Sequence, residues 1–271
     1  MSNLKSNNYK DLLIELIKTN FKIRYNNSVL GFIWVLIRPF ATFVILYTVW
    51  SAFRGQDIEN YQVKLLLGII LFTFIKEGII FGMNGLLDKA HIILKVNFPR
   101  EIAVMSSVAM ALINLLINLL IFVVFALFNP VDWSLVGYLW FFVVIIGAIL
   151  FIYGFCLYLS ILLIRLRDLQ HIFELFFELL FWVTPIFYEV GDQVGQIGGK
   201  IGKIISLNPV GMLIDIARDA LINGKIATIN IWGRDIESIW FVAVLYILAF
   251  MIIISGRVFF NSQVKKVAEY F

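Results

Sequence analysis

Apolar residues make up 61% of this 271-residue chain and charged residues 15%, at a mean hydropathy of +0.93. Soluble domains average about 45–50% apolar and about 25% charged, so this chain has too little polar surface to cover itself in water, which excludes a soluble enzyme and leaves lipid as the solvent. The net charge of +4 and pI near 9.1 then read as the cationic inner face of a membrane protein rather than as a nucleic-acid footprint.

The first predicted element is an amphipathic helix over residues 9–25. Leu12, Leu13, Leu16, Ile17 and Phe21 recur at helical spacing, with Lys10, Asp11, Glu15, Lys18 and Lys22 on the other side. A strong charged face with modest hydrophobicity suits a helix at the membrane surface or docked on another subunit. The same charges interrupt the apolar run that a cleavable signal peptide requires.

A spanning helix needs about 20 mostly apolar residues. Six segments meet that length: 29–53, 65–84, 102–128, 135–163, 169–188 and 238–260. Between the second and third lies GLLDKAHIILKVNFPRE (85–101), short, charged and amphipathic, with Pro99 as its stop signal. Between the fifth and sixth lies the long extramembrane stretch 189–237. Its early glycines (Gly191, Gly195, Gly198, Gly199, Gly202) read as loop, Pro209 to Leu221 is moderately apolar with helical spacing, and the whole reads as an outer-leaflet hairpin or short interfacial helices. The expected fold is an all-α membrane protein forming one domain over 1–271, with six transmembrane helices and an N-terminal interface helix.

Sidedness follows from charge. With both termini inside, the cytoplasmic pieces carry Lys5, Lys10, Lys18, Lys22, Arg24, Lys89, Lys95, Arg100, Arg165, Arg167, Arg257, Lys265 and Lys266. The short outer pieces carry Arg54 and Lys64, and the remaining outer cations sit in the long 189–237 loop, which counts little. Both chain ends are therefore expected in the cytoplasm.

Enzymatic constellations are missing. Cys156 lies in an apolar run and the two histidines are His91 and His171, so no cysteine or histidine metal framework is expected. GGKIGK (198–203) has the wrong spacing for a P-loop and is followed by Ile204 where Ser or Thr is required. ATP used by this protein would have to be hydrolysed by another chain. Ionisable residues at membrane depth are functional candidates: Arg38, Lys76, Glu77, Glu174 and Glu178. Glu174 and Glu178 project from one face of the fifth span and must meet protein or water, either as structural pairs with Arg38 or Arg165 or as the lining of a polar path. Phe173, Phe176, Phe177, Phe181, Trp182, Phe187 and Tyr188 share that segment. Their rings fit both lipid anchoring and sliding contact with sugar faces.

FKIRYNNSVLGFIWVLIRPF (21–40), the inner loop ending Asn97-Phe98-Pro99-Arg100-Glu101, RLRDLQHIFELFFELLFWVTPIFY (165–188) and LNPVGMLIDIARDALI (207–222) together resemble, in order and over nearly the whole chain, the type-2 ABC-transporter permeases that export polysaccharides. That family includes permeases for O-antigen, capsule and teichoic acid. The resemblance implies a bacterial inner-membrane homodimer of this chain bound to two ATPase subunits, which hold the ATP and magnesium. It implies a lipid-linked glycan as substrate, with no cofactor and no catalytic residue in this chain. Tyr25, Trp34, Arg38, Glu174, Phe177, Glu178, Phe181 and Trp182 would border the substrate path. Asp88, Lys89, Lys95, Phe98, Pro99, Arg100 and Glu101 would form a coupling helix on the ATPase. A type-2 permease for a drug or small lipid stays open, as does a membrane-embedded glycan transferase, which would need a base or metal partner beside Glu174 and Glu178 (His171 is one turn from Glu174).

Overall fold

The computed structural model describes residues 2–25, 31, 33–54, 60–93, 99–188, 199–226, 228–231 and 234–267. Ten helices are found among them. In order they are α1 (Ser2–Tyr25), α2 (Ile33–Arg54), α3 (Tyr61–Asn84), α4 (Ala90–Ile93), α5 (Glu101–Ala126), α6 (Leu135–Arg165), α7 (Leu169–Val183), α8 (Gly199–Ile205), α9 (Pro209–Ile222) and α10 (Ser238–Val267). The remaining regular structure is an antiparallel hairpin of β1 (Thr228–Ile231) and β2 (Arg234–Glu237), with Thr228 opposite Glu237 and Ile231 opposite Arg234. Among the described residues the protein is mainly helical, and five of the helices (α2, α3, α5, α6 and α10) are long and apolar enough to cross a membrane.

The fifth expected span differs. Residues 169–188 form a helix only to Val183, 15 residues, or about 22 Å at 1.5 Å per residue, against an apolar layer of about 30 Å. Thr184 leaves helical geometry because Pro185 follows, and the residue before a proline is pushed towards extended backbone. The apolar run in the sequence continues through Tyr188 while the helix does not. Residues 184–188 are nonetheless buried, so the turn packs into protein.

α3 is the centre of the bundle: 72% of its best spanning window is buried, against 17% for α2 and for α10. It approaches α5 and α6 closely because Gly78 and Gly82 present no side chain there. A Cβ on Gly82 would lie 2.5 Å from the Cys156 sulfur of α6 and 2.8 Å from Val108 of α5. This small-residue seam therefore serves packing within the chain. α9 is also internal, burying Gly211–Ile214, Ile216, Ala217 and Ala220–Ile222 against α3 and α6. Gly137 of α6 admits the Ala220 carbonyl where any Cβ would stand.

Candidate functional site

Three groups of residues could carry function. The first is the outward face of α7. Ile172, Leu175, Phe176, Leu179, Trp182 and Val183 are all exposed, and their spacing puts them on one stripe of the helix. The opposite side holds Phe177, which is 2% exposed and meets Phe72 edge-on, and Phe181, which packs on the same ring at 5.2 Å. Of the predicted path aromatics, Trp182 therefore stands on the open face at 59% exposure, held at its side by Phe181 and Phe187. Phe177 faces the core and supports that surface from behind. Glu178 is exposed. Glu174 accepts a hydrogen bond from Gln170 Nε2 at 2.9 Å and lies 3.6 Å from His171, so its partners come from its own helix and not from Arg38 or Arg165. On α2, Trp34 is 45% exposed and Arg38 is exposed; both lie on a helix with a largely open apolar face.

The second group is an internal polar joint. Tyr25, at the end of α1, donates its hydroxyl to Asn114 Oδ1 at 3.0 Å, and Asn114 Nδ2 donates to Glu77 Oε2 at 2.6 Å. One amide on α5, 3% exposed, thus ties α1 to α3. Arg24 lies over the Phe81 ring at 3.6 Å, a cation–π contact. Asn20 donates to Ser106 lower on α5, at 3.5 Å. The joint has a second amide beside it: Asn118 Nδ2 donates to the Asn114 carbonyl at 2.9 Å. Charges alone pointed to Glu77; Asn114 and Asn118 were missed. Two amides at i, i+4 inside an otherwise apolar span were the signal that could have found them.

The third group lies in the loop that leads into α5. Lys89 is 3% exposed, a rare state for a lysine. Its ammonium donates to the Ala103 carbonyl at 3.2 Å and to Ser107 Oγ at 2.8 Å, both on α5. Burial pushes its pKa down to about 8, with Asp88 pulling it back up and Arg24 adding to the fall. Glu101 binds Arg257 of α10 at 3.2 Å, with Tyr153 of α6 donating to it at 3.4 Å. Arg100 donates to the Val264 carbonyl. Four of the predicted coupling residues, Lys89, Pro99, Arg100 and Glu101, therefore sit at the foot of α5, three of them engaged with α5 or α10 of the same chain. Asp88 and Pro99 are exposed, and Lys95 and Phe98 lie outside the described residues.

At the end of the bundle away from Lys89, Arg218 of α9, not singled out by sequence, is the main fastening. It donates to the carbonyls of Lys64 (2.9 Å), Pro185 (3.0 Å) and Ile186 (2.7 Å) and pairs with Asp215 at 3.1 Å. Asn208 caps α9 by accepting from Val210 N, and its amide donates to Thr184 Oγ1. These bonds satisfy a turn that has left the helix. Among the described residues no group of His, Cys, Asp and Glu comes together as a metal site.

Residues 11–222 match the family model described as ABC-2 type transporter. The chain is similar to two O-antigen export system permease proteins RfbA of Klebsiella pneumoniae, at 27% and 28% identity over 260 residues, 96% of this chain and 94% of each relative. It is also similar to the O-antigen export system permease protein RfbA of Myxococcus xanthus, at 25% identity over 206 residues, 76% of this chain and 78% of the relative.

Proposed function

The chain belongs to the ABC-2 type transporter family, and from that premise we propose that it is the membrane subunit of an ATP-driven exporter of cell-surface polysaccharide. The observation that carries this reading is the similarity to three O-antigen export permeases, two of them over almost the full length. It favours O-antigen over teichoic acid as the polymer. The substrate is a lipid-linked glycan taken from the inner leaflet of the bacterial cytoplasmic membrane, with both chain termini in the cytoplasm.

The geometry supports a path built between two copies. A single chain leaves the α7 stripe around Trp182 and the Trp34–Arg38 side of α2 open. A homodimer that brings these faces together would enclose aromatic surfaces for sugar rings, with Arg38 and Glu178 as polar edges. ATP and magnesium belong to two partner ATPase subunits, and this chain binds, guides and excludes lipid without covalent chemistry. The exposed surface around Asp88 and Pro99 is the side available to the ATPase.

The test is genetic and biochemical. Deleting the chain should abolish surface polymer and leave lipid-linked polymer inside, and Phe98→Asp should lower ATP-dependent export with insertion intact. Normal surface polymer in the deletion strain, together with altered drug efflux or lipid movement, would refute the polysaccharide assignment.

A further inference from the structure

α1 and the inner loop reach the bundle through the same piece of structure. α1 is fastened to α5 at two heights, Asn20 to Ser106 and Tyr25 to Asn114. The two α5 positions are about 12 Å apart along the helix axis, at 1.5 Å per residue. Moving from Asn20 to Tyr25 climbs α5 in the same direction, so the end of α1 runs up beside α5 instead of crossing it at one point. The inner loop is fastened at the lower of those heights, where Lys89 grips Ala103 and Ser107. The foot of α5 also holds α10, through Glu101–Arg257 and Arg100 to Val264.

From this we infer that α1, residues 85–93 and the inner half of α5 move as one body, and that Asn114 is the positioning residue that passes their displacement to α3 through Glu77. The inference rests on the export reading and deepens it by naming the helix that receives the ATPase's motion. α2, which follows α1 directly in sequence, is the obvious receiver by connectivity; the hydrogen bonds put α5 in that role. A buried amide suits the task because its two ends are chemically distinct. Its oxygen takes the Tyr25 proton donor while its nitrogen serves the Glu77 acceptor, so the two contacts fix orientation as well as distance. Glu77 is an expensive residue at membrane depth, and anchoring the joint gives it a use.

The experiment locks the body and then loosens it. Asn20→Cys with Ser106→Cys is cross-linked by a short thiol-specific reagent in the assembled transporter, with the buried Cys156 left in place. The reagent carries a disulfide, so that reductant reverses the link. ATP-dependent polymer export is read in inverted vesicles before and after linking. Linked protein should export within about twofold of the same protein under reductant. A loss of about tenfold on linking, recovered by reductant, would mean that α1 slides over α5 during the cycle and would overturn the inference.

In the second arm, Tyr25→Phe and Asn114→Leu should each lower polymer exported per ATP hydrolysed severalfold, with membrane abundance unchanged. Glu77→Gln, which can still accept from Asn114, should stay near wild type while Glu77→Leu falls with the others. Equal loss in Gln and Leu, or loss of abundance in place of the export-to-ATP ratio, would reduce the joint to a folding contact and defeat the proposal. If the wild-type chain with its ATPase shows no ATP-dependent export, the functional reading fails first and this inference falls with it.

Discussion

Lys89→Met is the sharpest probe of the inner loop. In the native chain the ammonium sits 3% exposed among α5 atoms, with its pKa lowered from 10.5 to about 8. That fall corresponds to about 3 kcal/mol by which folding disfavours the protonated form at neutral pH. Methionine removes that penalty at similar length. It forfeits two hydrogen bonds, about 1 kcal/mol each, but orphans neither acceptor, because Ser107 Oγ already donates to the Ala103 carbonyl at 3.2 Å. The balance is a gain of about 1 kcal/mol, or about 2–4 °C in Tm for a chain of this size. The pH dependence has a definite sign. Between about 8 and 10.5 the unfolded lysine holds a proton that the folded one has released. Wild-type stability therefore rises with pH across that window, and the advantage of the methionine variant shrinks. Thermal unfolding in detergent at about pH 7 and about pH 9.5, below and within that window, measures both. A lower Tm for Lys89→Met at neutral pH, or a gap that widens with pH, would refute the argument that this ammonium is held at a net cost.

The two faces of α7 should separate by assay. Phe177→Ala removes a buried ring and should destabilise by about 3–5 kcal/mol, seen as loss of folded protein in the membrane. Trp182→Ala lies on the open face and should change stability by less than about 1 kcal/mol while lowering export of long polymer, measured as surface chain length. Gly82→Val should cost about 1–3 kcal/mol by overpacking against Cys156 and Val108, read from thermal unfolding. Arg218→Met takes the Arg218 donor from the carbonyls of Pro185 and Ile186 in the non-helical turn, at about 1–3 kcal/mol for each group left unsatisfied. It should expose the 185–222 segment to externally added protease.

Helix positions and family were legible because apolar runs of span length and four ordered motifs survive without tertiary information. The long helices α2, α3, α5, α6 and α10 overlap the expected spans closely. The end of α7 was not legible: hydropathy through Ile186 and Phe187 resembles continued helix, and only Pro185 spoke against it. α9 read as an interfacial helix because composition does not reveal that Gly137 and Gly68 open slots for it. Within the candidate site, charges were easy to nominate and hard to assign. Arg100 and Glu101 read as partner contacts, yet their side chains turn to α10, because distance in sequence hides the approach of residues 101 and 257. Asn114 carried no charge to draw notice, although a buried amide can bind more specifically than an exposed arginine.

The proline that ends α7 early alters the geometry of any passage beside it. Arg218, which holds the 185–186 turn, lies against Gly68, about 10 Å along α3 from Tyr61 at 1.5 Å per residue. A polymer following α7 outward would lose the helix at Thr184, about 10 Å short of the level of Tyr61, where the chain turns into the bundle. The stretch that must be kept sealed against ions is then nearer two thirds of the bilayer than its full depth. A short seal can close around one sugar unit at a time, which suits a cargo whose length has no fixed limit.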